Sequence, residues 1–127
     1  MQRIRVPTAA PWARVVGYSR AVRAGNQVFV AGTAPVGDDG AVVAPGDAYA
    51  QAKRCLEIIV HALHEAGAEP RHVVRTRMFV RDPELWEDVG RAHGEIFGDV
   101  LPATTMVFTA FIHADMLVEI EADAILD

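Results

Sequence analysis

Residues 47–82, DAYAQAKRCLEIIVHALHEAGAEPRHVVRTRMFVRD, change hydrophobic period once, and that change sets the fold class. From Asp47 to Ala66 the apolar positions Ala48, Ala52, Cys55, Leu56, Ile59, Leu63 and Ala66 recur three and four residues apart, which lines one face of an amphipathic helix. Asp47 is placed to cap its first turn and Gly67 to end it. From Val73 to Arg81 the period falls to two: Val74, Thr76, Met78 and Val80 point one way, and Arg75, Arg77, Phe79 and Arg81 the other. This is a strand with one strongly basic face. Asp82-Pro83 then opens a second helix, with Leu85, Trp86, Val89, Ala92, Ile96 and Phe97 as its apolar positions and Gly98 as its stop.

Outward from this helix–strand–helix unit, both flanks read as strands. Tyr18–Arg23 and Gln27–Ala31 are β-like runs joined by Ala24-Gly25-Asn26, whose Gly and Asn tolerate the positive φ of a tight hairpin. Asp38-Asp39-Gly40, between Pro35-Val36 and Ala41-Val42-Val43, is a second turn of this kind. Thr104–Ala110 and Leu117–Leu126 close the chain as two strands around a turn at 112–115. The expected order is ββαβαββ, an α/β fold whose mixed sheet carries both helices on one face. In the last strand Val118, Ile120, Ala122, Ala124 and Leu126 form the apolar side, leaving Glu119, Glu121 and Asp123 in a row on the other. Helices over the apolar side leave the carboxylate side bare within one chain, and partner subunits are the simplest cover.

At 127 residues, with no repeat and no linker, 1–127 reads as a single domain. The net charge of −5 argues against nucleic acid as a partner, although eleven arginines against one lysine, Lys53, could build a local anion site. Cys55 is the only cysteine, so no intrachain disulfide can form, and its place in the helical stripe makes it a buried small hydrophobe. With no signal-peptide h-region and no apolar run long enough for a membrane span, a cytoplasmic location is expected.

The carboxylate row is the feature that most resembles chemistry. Carboxylates two apart on a strand share a face and raise one another's pKa, so one could serve as a general base; the alternative is a structural face paired with Arg75, Arg77 and Arg81. His61 and His64 fall opposite the apolar stripe and should face solvent, as should His113 in the last turn. His64-Glu65 lacks the second histidine of a zinc site, and no metal is expected. No nucleotide-binding glycine motif or nucleophile elbow is present, so no cofactor is expected.

Three segments carry a family resemblance: Gly17-Tyr18-Ser19 leading to 28–35 (VFVAGTAP), 73–82 (VVRTRMFVRD), and 101–105 (LPATT) leading to 118–122 (VEIEA). With the Gln51-Ala52 helix between them, in the same order and spacing, the chain resembles the RidA/YjgF family over nearly its whole length. The resemblance implies a chorismate-mutase-like fold, a homotrimer, and small-molecule clefts at subunit interfaces. It also implies cofactor-independent hydrolysis of imines or enamines with release of ammonia. Residue by residue, it implies Glu119 as the group that activates water and Tyr18, Ala31, Gly32, Gly90, Thr104 and Met106 as substrate-binding positions. Active members more often carry Ser-Gly at Ala31-Gly32, asparagine at Gly90 and a smaller residue at Met106.

The largest departure is Pro102-Ala103-Thr104, where the family signature ends in arginine. A guanidinium grips a substrate carboxylate through two charge-assisted hydrogen bonds, and its loss costs about 2–5 kcal/mol. Three functions are therefore compared: an imine or enamine hydrolase of altered specificity, a non-catalytic small-molecule or interaction trimer, and a residual 2-imino-acid deaminase in which another cation, Arg20 or Arg77, compensates.

Overall fold

The computed structural model describes residues 2–127, which run in the order β1 (Arg3–Val6), α1 (Ala13–Val16), β2 (Ala21–Ala24), β3 (Gln27–Thr33), α2 (Ala48–Glu65), β4 (Val73–Val80), α3 (Trp86–Phe97), β5 (Ala103–Phe108) and β6 (Val118–Ile125). Two 3-10 turns, Pro70–His72 and Pro83–Leu85, precede β4 and α3. The α/β class and the alternation of helices and strands from Gln27 onward follow the sequence reading. Asp47 caps α2 by accepting from the Ala50 N–H at 3.0 Å, and Gly67 adopts φ 86° where the helix ends.

The six strands form one sheet in the order β1-β2-β3-β6-β4-β5. The two closing strands are therefore not partners: β6 inserts antiparallel between β3 and β4, and β5 lies parallel to β4 at the outer edge. No local turn could reveal this pairing, because both neighbours of β6 lie far away in sequence. The first hairpin is also shorter than expected. Strand β2 begins at Ala21, so Tyr18, Ser19 and Arg20 form the approach to it, and residues 3–16 add a strand and a helical turn that the sequence reading did not anticipate.

Both long helices cover the same side of the sheet. Cys55 of α2 sits 3.9 Å from the Val118 carbonyl, and His93 of α3 bonds Thr76 of β4 at 2.8 Å. Leu56, Ile59 and Leu63 of α2 and Val118, Ile120, Ala122 and Ala124 of β6 are almost fully buried between these layers, each large aliphatic side chain contributing about 1.5–3 kcal/mol. Three expected apolar positions are displaced. Val74 is 44% exposed whereas Val73 is buried, because the β4–β6 register slips between Val73 and Arg75 and turns the first residues over. In α3 the buried stripe is Val89, Ala92 and Phe97, leaving Trp86 and Ile96 exposed. Among the described residues no helix is long and apolar enough to cross a membrane.

Gln51 fastens the helical layer to the start of β6. Its buried amide donates to the carbonyls of Val43 (3.1 Å) and Asp115 (2.8 Å) and accepts from the Leu117 N–H (2.8 Å). Gln51→Leu would leave these backbone groups unpaired in the interior and is expected to lower unfolding free energy by about 2–4 kcal/mol. Urea denaturation measures this, and an unchanged midpoint would mean that the clamp carries no stability.

Candidate functional site

The β3–β6 ladder contains the irregularity from which the site is built. Val30 pairs with Ala122 and Thr33 with Ile120, so three residues of β3 advance against two of β6, and Ala31-Gly32 form a bulge. Glu119 points into this bulge. A Cβ built on Gly32 would collide with the Glu119 carboxylate, so a side chain there would push the carboxylate out of the bulge. Thr33, fully buried, turns its hydroxyl back to the Ala31 carbonyl at 2.8 Å and holds the bulge in shape.

A cavity of about 1340 Å³ opens at this point, with Tyr18, Arg20, Ala31, Gly32 and Glu119 on its sheet side and α2, including Arg54 and His61, on the other. The segment from Pro7 to Trp12 and the loop at Gly37–Gly40 complete its rim. His61 and His64 are exposed as expected, and so is His113. Cys55 is fully buried behind the cavity, and its thiol pKa is pushed well up, first by burial and second by the Glu119 charge.

The carboxylate row divides into two roles. Arg77 pairs with Glu121 at 3.0 Å and with Asp123 at 3.5 Å, so these two and Arg77 form the structural ion-paired face. Among the described residues no cation lies within salt-bridge distance of Glu119. Burial raises the Glu119 pKa above its ordinary value; the nearby Arg20 charge opposes this shift and Glu121 adds to it. A half-buried carboxyl held in this way, in a cavity, has the properties of a general base that can take a proton from water.

Of the seven positions expected at the site, the structure brings together Tyr18, Ala31, Gly32 and Glu119. Gly90, Thr104 and Met106 lie elsewhere in the chain. Gly90 is on α3 and does not line the cavity. Thr104 and Met106 are on the edge strand β5, separated from β6 by β4. The Thr104 hydroxyl is engaged locally, 2.8 Å from the Thr76 hydroxyl and 3.1 Å from the Pro102 carbonyl, and Thr76 in turn meets His93 Nε2 at 2.8 Å. Burial lowers the His93 pKa, in keeping with a neutral imidazole at the end of this chain of hydroxyls. The sequence reading named Arg20 only as a compensating cation. The structure places it in the cavity wall, and its alternative, Arg77, in the ion pairs of the open face.

Comparison with known proteins gives concordant matches. The endoribonuclease L-PSP family model matches residues 8–126. The uncharacterized protein SCO2049 of Streptomyces coelicolor is 39% identical over 94% of this chain and 90% of its own length. The 3-aminoacrylate deaminase RutC of Acinetobacter baylyi is 34% identical over 84% of this chain and 85% of its own. The crystal structure of Rv2704 from Mycobacterium tuberculosis, a member of the YjgF/YER057c/UK114 family, superposes with a TM-score of 0.88 at 44% identity, covering 98% of this chain and all of that one.

The contact between Gly32 and Glu119 is directly testable. Gly32→Ala should cost about 0.5–1 kcal/mol as the carboxylate is pushed aside, and less in a Glu119→Ala background. A double-mutant cycle read by thermal unfolding should give a coupling of about 0.5 kcal/mol; additive effects would remove Glu119 from the bulge.

Proposed function

Because this chain belongs to the endoribonuclease L-PSP family, the group of YjgF and RidA proteins, we propose that its cavity hydrolyses a small imine or enamine without a cofactor, with Glu119 as the base that activates water. The observation that carries this reading is the Glu119 carboxyl group, lodged in the Gly32 bulge, free of the ion pairs that engage Glu121 and Asp123, and raised in pKa by burial. A relative bearing the name 3-aminoacrylate deaminase supports the reaction class.

The chemistry balances with these groups alone. Glu119 takes one proton from water as its oxygen adds to the carbon of the protonated imine. The carboxyl then returns that proton to the nitrogen, and as the C–N bond breaks the remaining hydroxyl proton passes to Glu119, leaving a carbonyl compound and ammonia. An enamine first gains a proton on carbon to become the protonated imine, and the same carboxyl can supply it. Tyr18, half-buried in the same wall, adds a phenol that can donate or accept a hydrogen bond to the cavity lining.

In this proposal the assembly is a homotrimer, with a second chain supplying the edge strand and its Thr104 and Met106 to the cleft. The exposed apolar side chains Leu101, Val107, Phe108 and Ile112 along and beside β5 support such a contact. A cytoplasmic setting fits the single reduced, buried thiol of Cys55. Light scattering should give three times the 13.8 kDa chain mass.

Ammonia release across a panel of enzymatically generated imines and enamines tests the activity. Glu119→Gln should lower turnover by about 100-fold or more, and undiminished turnover in that variant would exclude the mechanism. The base must be ionised, so kcat/KM should fall as pH drops through the Glu119 pKa, with the midpoint above the ordinary glutamate value of 4.5. A midpoint at or below that value would mean that the carboxyl is not the buried one.

A further inference from the structure

At the position where the resemblance implies a substrate-gripping guanidinium, this chain has a threonine whose hydroxyl is already engaged, yet a guanidinium reaches the cavity from another direction. Arg20 lies between α1 and β2, its backbone fixed by an N–H donated to the Val6 carbonyl (2.8 Å) and a carbonyl that accepts from the Ala31 N–H (2.9 Å). Its side chain is only 8% exposed. Nη2 donates to the Gly32 carbonyl at 2.5 Å, Tyr18 stacks beside it at 5.8 Å, and the Nε–H is buried with no partner.

A buried donor on a cation is costly to leave unmade. The Nε–H itself has no access to the cavity, so the donors open to an anionic ligand are the Nη hydrogens that the Gly32 carbonyl does not take. Arg20 and Glu119 face the same space without closing a salt bridge on one another, which leaves room for a ligand between them. The opposed charges also set the ligand's direction: its anionic end is attracted to Arg20 and repelled by Glu119.

We propose that Arg20 is the anion receptor of this cavity and the residue that determines its specificity, so that a ligand lies with its anionic group toward the Arg20 guanidinium and its other end toward the Glu119 carboxyl. This anion site does not rest on the hydrolase reading above.

The test compares crotonate with crotonamide, stable planar four-carbon acids and amides of nearly equal shape, by calorimetric titration of the native protein. Crotonate should bind about 30-fold or more tightly, the usual effect of a desolvated charge pair. Arg20→Gln should remove that preference with crotonamide affinity unchanged, and Arg20→Lys should restore part of it through charge without the planar fork. In native protein the Arg20 Nε–H resonance should move with crotonate and not with crotonamide, a readout that does not depend on any variant folding. Glu119→Gln, which abolishes turnover under the hydrolase reading, should retain or tighten crotonate binding. Crotonate preference without ammonia release from any substrate would therefore overturn the chemistry and leave the receptor standing. Equal binding of the two probes, an unmoved Nε–H resonance, or full acid preference in Arg20→Gln would overturn the receptor.

Discussion

The site depends on a steric permission: a carboxylate occupies the space that any side chain at position 32 would fill. The permission has two parts. The extra residue in β3 kinks the ladder opposite Glu121, and glycine at the kink leaves the space that the Glu119 carboxylate enters. Placed in the bulge, the carboxyl loses water on one side, and the same displacement that separates it from its neighbours raises its proton affinity.

Three carboxylates on alternate positions of one strand thus meet three fates decided by a few ångströms. Glu121 and Asp123 share one guanidinium and complete a structural network. Glu119 faces a cavity that holds a second guanidinium, with which it makes no contact pair. Buried opposite charges usually close on one another, since their attraction grows as water is excluded. An arrangement that prevents closure keeps both groups available to a third party.

Local features of this architecture are plain in the amino-acid sequence. The capped helix from Asp47 to Gly67, the tight turn at Gly25-Asn26 and the alternation along Glu119–Ile125 each depend on neighbours a few residues apart, and each appears where the pattern puts it. The strand order does not depend on such neighbours. Insertion of β6 between β3 and β4 is decided by packing across the whole chain, and the slip that exposes Val74 arises only once that pairing exists. The site divides along the same line. Glu119, Tyr18 and the Ala31-Gly32 pair were identifiable from motif resemblance, whereas Arg20 became a wall residue only when β2, β3 and β6 were laid side by side. Nothing in its local sequence distinguishes it from ten other arginines. Within one chain Thr104, Met106 and Gly90, grouped with the site by motif, do not line this cavity.

The Gln51 clamp gives the cavity walls of unequal stiffness. Its bonds to Asp115 and Leu117 tie the helical layer to the chain two residues before Glu119, so the base inherits the rigidity of an eighteen-residue helix. The opposite rim, Pro7 to Val16, ends in a single helical turn and has no buried residue. Substitutions there change the shape of the chamber at little cost in folding, while the proton-accepting atom stays in place. A scaffold so divided can drift in which molecules it admits and keep the reaction it performs, because selectivity and reactivity are anchored to different parts of the chain.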